Sequence, residues 1–258
     1  MHIFVIKKNS IIRAVVFLLL IGITFVYTSS ITKKDRAVST QSPMKMPIFM
    51  VESEDEVALT FDTTFGDDYT AEILKVLKEN DVKATFFVMG AWAAKYPASL
   101  EMIALSGHEI ASHSMSHERY PDLPAKDVLA DAEAAKDYLY KACDVETNMI
   151  RLPFGAFDDD TIYTLEGDGF VPIKWSLDSK DWKMILAEQI VERIKKYAKP
   201  GDIIMFQNNA GETVKALPGV LKELEKKGLK PVMLSELIPE GEVYVDDKGV
   251  LKPRNVQE

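Results

Sequence analysis

From residue 57 to 238, short runs of β-branched and aromatic residues alternate with stretches of helical periodicity, and this alternation constrains the fold more than any other feature. Val57–Phe61 (VALTF) reads as a strand and is followed by a helical pattern in YTAEILKVLKEN, residues 69–80. Thr85–Met89 (TFFVM) precedes a helix expected over 94–107, and Glu109–Ser112 precedes a long one from Lys126 to Ala142. Met149–Leu152 leads into a helix over 159–169, and Val171–Ser176 into one from Ala187 to Ala198. Ile203–Gln207 precedes a helix over 212–228, and Pro231–Leu234 closes the series. Strands joined by helices run parallel, because a parallel pair needs a long crossover connection. About seven such units, with no glycine-rich phosphate loop, predict an α/β fold: a distorted (β/α) barrel of about seven parallel strands, like a TIM barrel. In such a barrel the residues just after the strands share one mouth, where active sites are built. Asp62, His113, Arg151, Trp175, Asp178 and Gln207 all fall there.

The flanks have a different character. Lys7, Lys8 and Arg13 precede an apolar run from Ala14 to Tyr27, the pattern of a signal peptide or signal anchor, expected over 1–30. Residues 31–50 are polar and read as a linker, 51–238 as the domain, and 239–258 as a polar tail expected to pack loosely. By the positive-inside rule the domain is expected outside the cytoplasm, membrane-anchored through the N-terminal segment or secreted. A net charge of −9 argues against a nucleic-acid surface, which needs a clustered positive field. Cys143 is the only cysteine, so no intrachain disulfide forms, and its helical setting marks it as structural. The chain is expected to be a monomer held together by its core.

Three of the four histidines, His108, His113 and His117, lie close together around the stretch HSMSH. On a helical turn, imidazoles four positions apart share a face, so His113 and His117 can both reach one divalent cation such as zinc. The alternative is a pair of surface or capping histidines. His108, just before a strand, reads as structural.

Asp62 in TFDTTFGDD, the HSMSH pair, RLPFG at Arg151–Gly155, DSKDW at Asp178–Trp182 and IIMFQNN at Ile203–Asn209 resemble, in order and spacing, the polysaccharide deacetylase (NodB homology) family. The resemblance runs from about Val57 to Ile238. It implies metal-dependent removal of acetyl groups from cell-wall glycan such as peptidoglycan or chitin, by hydrolysis of a carbon–nitrogen amide bond. It implies that His113 and His117 hold the metal, that Asp62 is the catalytic base, and that Arg151 orients that base. Pro153 and Gly155 would set the loop shape, Pro153 and Phe154 would bind substrate, and Asp181 would stand behind the family's catalytic histidine. Trp182 would line the groove, with a place in the core as its alternative.

Two positions depart from the family's pattern. Where the family carries a second aspartate as the third metal ligand, this chain has Thr63, leaving Asp67, Asp68 or water to fill the vacancy. Where the family has the histidine that protonates the leaving amine, it has Gln207. Glutamine donates a hydrogen bond but gives up no proton at neutral pH. General acid catalysis is worth about 10²–10⁴-fold, so its loss implies a slow enzyme if metal and base persist. Two readings follow: a slow metal-dependent deacetylase, or a degenerate one that binds glycan or an envelope partner without turnover. A third, an unrelated barrel hydrolase built on paired carboxylates, finds no convincing pair of acids.

Overall fold

A computed structural model of the chain describes residues 45–66 and 69–254. The expected signal or anchor over 1–30, Asp67 and Asp68 lie outside the described residues. β1 (Met50–Val51) belongs to a small sheet taken up below. The main sheet is parallel and eight-stranded: β2 (Glu56–Thr63), β3 (Thr85–Val88), β4 (Glu109–Ser112), β5 (Met149–Arg151), β6 (Val171–Ile173), β7 (Leu177–Asp178), β8 (Ile203–Gln207) and β9 (Lys230–Val232). Its spatial order is β6-β5-β4-β3-β2-β8-β7, with β9 also pairing with the start of β2. The sheet curls into a distorted (β/α) barrel, as the alternation of strands and helices requires.

Period-two alternation sorts the side chains of each strand between two cores. Ala58 of β2 joins Phe87, Ala111, Met149, Ile173 and Ile203 in the barrel interior. Val57, Leu59 and Phe61 face outward, where Phe61 stacks between Phe86 and Phe206 at centroid distances of 4.9 and 5.6 Å under the helices. Each such buried side chain contributes about 1.5–3 kcal/mol.

The run Val171–Ser176, expected as one strand, divides. β6 and β7 stand at opposite ends of the strand order, and Lys174–Ser176 carries the chain between them. The backbone N–H of Lys174 donates to Ile48 O (2.7 Å), whereas that of Ser176 donates to Ile203 O (3.1 Å), so no single ladder holds the segment. The barrel therefore closes by a crossing loop rather than by a strand pair. The helix expected over 94–107 likewise divides, into Gly90–Lys95 and Pro97–Leu105. Pro97 cannot continue a helix through Tyr96 but is suited to start one.

The linker and tail are also better anchored than expected. Ile48 and Val51 are buried, and β1 pairs in parallel with β11 (Val250–Pro253), itself antiparallel to β10 (Val243–Val245). Hydrophobic residues hidden among polar ones explain the misreading: Leu251 is buried, with Val243 and Val245 packed in the same cluster, in a tail rich in charged residues. Cys143 is half-buried, its thiol donating to Leu139 O, and burial raises its pKa. Among the described residues no helix is long and apolar enough to cross a membrane.

Candidate active site

The ends of β2, β4, β5 and β8 bring Asp62, His113, Arg151 and Gln207 to one mouth. Asp62 pairs in register with Gln207, so both side chains emerge on the same face. Arg151 follows the interior residue Met149 by two, and its guanidinium lies 3.9 Å from the Phe87 ring centroid.

Arg151 is fully buried and its charge is spent on defined acceptors. Nη1 donates to Asp62 Oδ1 (2.8 Å) and to Thr60 Oγ1 (2.7 Å), and Nη2 donates to Lys174 O (3.0 Å). Thr60 passes its own proton to Ile204 O (2.8 Å), which leaves its lone pair for the arginine. One oxygen of the buried Asp62 is thus fixed, while Oδ2 faces His113 Nε2 at 3.8 Å. His113 Nδ1 lies 2.9 Å from Arg151 O, an acceptor only, so Nδ1 carries the proton and Nε2 presents its lone pair.

His113 and His117 come together with ring centroids 4.7 Å apart, edge to face. The expected helical turn is absent. Ser114 (φ 67°) and His117 (φ 59°) are left-handed, and the turn closes through His117 N–H on Ser114 Oγ (2.7 Å). Burial keeps both imidazoles neutral, the form that binds metal: His117 is pushed down to about 4 and His113 also below its usual range. This pair suits a divalent cation. Thr63 adds no third donor, being buried with its hydroxyl on Phe61 O, and no group of three His, Cys, Asp or Glu poised for a metal occurs among the described residues. His108 sits apart, buried, its Nδ1 accepting from Ala84 N–H (3.3 Å) and burial lowering its pKa to about 4.

Asp181 is buried, and desolvation pushes its carboxyl up to about 6. Its partners are a hydroxyl and backbone amides, with no histidine among them. It accepts from Thr213 Oγ1 (2.5 Å), Trp182 N–H (2.7 Å) and the backbone N–H of Gln207 (2.7 Å). The Gln207 side chain instead contacts Met205 Sδ at 3.7 Å. Trp182 is outside the core, 53% exposed, with its indole N–H on the Asp178 carboxylate (3.3 Å). Pro153 is buried, whereas Phe154 is 67% exposed, left-handed (φ 57°), and set edge-on to His117 at 4.6 Å. Gly155 permits this turn, since a Cβ there would lie 2.8 Å from Trp175. Phe65, also exposed, reaches His117 at 5.8 Å.

Two contributors escaped the sequence reading. Thr60 was findable, standing two residues before Asp62 on the same face of β2. Phe65 follows the same strand and gave no signal beyond its exposed aromatic ring.

A family model described as polysaccharide deacetylase matches residues 51–173. The chain is 33% identical over 189 residues to a chitooligosaccharide deacetylase of Sinorhizobium fredii, covering 67% of this chain and 86% of that one. It is 31% identical over 191 residues to a peptidoglycan-N-acetylglucosamine deacetylase of Bacillus cereus, covering 72% and 89%. Among solved structures it resembles a CE4 family pseudoenzyme from Bacillus anthracis, with a TM-score of 0.73, 26% identity and 77% and 70% of the two chains covered. A mutant of that pseudoenzyme with restored enzymatic activity gives a TM-score of 0.73 at 28% identity, covering 77% and 72%.

Proposed function

This chain belongs to the polysaccharide deacetylase family, and we propose that it hydrolyses the acetamide of N-acetylated cell-wall glycan, of the peptidoglycan or chitin type, outside the cytoplasm. The observation that carries this reading is the Asp62 carboxylate, held through one oxygen by Arg151 and offering the other beside His113. Asp62 Oδ2 accepts the proton of the attacking water, and Arg151 keeps the base aimed. His113 and His117 would hold a divalent cation such as zinc, which supplies Lewis acidity toward the acetyl carbonyl and the water. Phe154 and Trp182 offer apolar faces on which a sugar ring can stack, and Pro153 fixes the turn that presents Phe154. Residues 1–30 would act as signal or anchor, and the domain would work as a monomer.

No group at Gln207 protonates the leaving amine, so turnover is slow. A second reading, glycan binding without turnover, is favoured by Thr63 and Gln207 together and by the likeness to a pseudoenzyme. Metal analysis of the purified chain, combined with acetate release from N-acetylated peptidoglycan and chitooligosaccharides, separates the two. Metal-dependent acetate release that disappears in Asp62→Asn supports the deacetylase; glycan binding by the metal-loaded chain with no acetate overturns it in favour of the second reading.

A further inference from the structure

One carboxylate outside the residues assigned so far is organised around the histidine loop. Asp131 stands on the helix Ala125–Cys143 and accepts four hydrogen bonds. Oδ2 takes the Met115 N–H (3.0 Å) and the Tyr120 hydroxyl (2.9 Å); Oδ1 takes the Ser116 N–H (3.0 Å) and the Ser116 hydroxyl (2.5 Å). Two successive backbone amides of HSMSH are thereby read by the two oxygens of one side chain. From the other side, Gly90 N–H donates to Ser114 O (2.9 Å) and Ala91 N–H to Met115 O (3.0 Å). The approach is close: a Cβ on Gly90 would lie 2.2 Å from Met115 Sδ.

The loop needs such support. Left-handed backbone at Ser114 and His117 is unfavourable for residues with a Cβ and persists only where surrounding groups impose it. Among the described residues, two side chains outside the loop accept from its amides: Ser112 Oγ from Ser114 N–H (3.3 Å) and the Asp131 carboxylate from Met115 and Ser116, the apex of the turn. Asp131 makes no hydrogen bond to an imidazole: its charge reaches His117 only across space, a minor influence beside desolvation, and its direct contacts with the loop run through the Met115 and Ser116 amides and the Ser116 hydroxyl.

We infer that Asp131 is a positioning residue: by holding Met115 and Ser116 it sets the turn that brings His113 and His117 together, and with it the affinity of the pair for a divalent cation. The cation part of this inference rests on the proposed deacetylase reading; the turn part rests on the hydrogen bonds alone. Asp131→Asn keeps the volume but puts an N–H₂ against one of the two amides, breaking the paired recognition. Ser116→Ala removes only the exposed hydroxyl bond.

The test measures Zn²⁺ affinity of the full chain by competition with a chromophoric chelator, and determines crystal structures of wild type and variants. Asp131→Asn should weaken Zn²⁺ binding by about tenfold or more, as loss of outer support does at metal sites, and should widen the separation of the two rings. Ser116→Ala should weaken it about threefold. Folded Asp131→Asn with wild-type affinity and wild-type ring geometry overturns the inference. Should Asp131→Asn fail to fold, Ser116→Ala decides: unchanged affinity and an unchanged turn overturn it. Should wild type take no Zn²⁺, the cation reading falls, and the ring separation in the variant structures alone decides the role of Asp131.

Discussion

Arg151 shows how much one residue can carry. It is fully buried, and its hydrogen bonds join β2, β5 and the Lys174–Ser176 crossing. Replacing it with methionine keeps the packing on Phe87 but leaves the buried Asp62 carboxylate unpaired. Breaking one side of a buried ion pair in this way costs about 3–5 kcal/mol, so Arg151→Met should unfold at markedly lower urea and show no acetate release; wild-type stability would contradict the pairing. At this scale the sequence was legible where motif order did the work: Asp62, His113, His117, Arg151 and Gln207 all reach the mouth. It was misleading where local period was trusted. Spacing of four in HSMSH suggested a helical turn, but the turn is left-handed and supported by Asp131, a residue no local pattern connects to it.

At the level of elements, the strands were legible as cores and less so at their ends, because apolar alternation reports burial while hydrogen-bond partners decide where a ladder stops. Val171–Ser176 is apolar or aromatic along most of its length, yet Lys174 and Ser176 donate to opposite edges of the barrel. The β1 strand was hidden in an apparent linker for the same reason: its partner, β11, lies at the far end of the chain. Its docking depends on Gly201, which is left-handed (φ 80°) and so close that a Cβ would lie 1.7 Å from Val51 O. A carbonyl in a strand cannot move aside as a flexible side chain can. Gly201→Ala should therefore cost about 2–4 kcal/mol, combining positive-φ strain with displacement of β1. Thermal unfolding checks this, and a melting temperature within a degree of wild type would contradict it.

Across the whole molecule, buried titratable groups set how stability responds to pH. His108, His113 and His117 have folded pKa values below their ordinary 6.5, so the folded state binds fewer protons and their contribution is lost as pH falls below about 6.5. Asp181, raised from 3.8 to about 6, works in the opposite sense: its contribution is present at low pH and lost as pH rises through about 6. Asp202, also raised by burial, acts in the same sense as Asp181. Three histidines outweigh these two aspartates, and the protein should be less stable to urea at pH 5 than at pH 7. Asp181→Asn removes one opposing group and should lose more over the same interval; a smaller loss would contradict the assignment. The barrel also places Gln207 in register with Asp62, with its backbone on Asp181, so a histidine there would stand beside an acid that favours its protonated form. If this mouth is a deacetylase centre missing its proton donor, supplying the donor restores turnover: Gln207→His should release acetate from N-acetylated glycan at least about tenfold faster than wild type, mainly through turnover, and a variant that binds metal normally yet gains nothing refutes that description of the site.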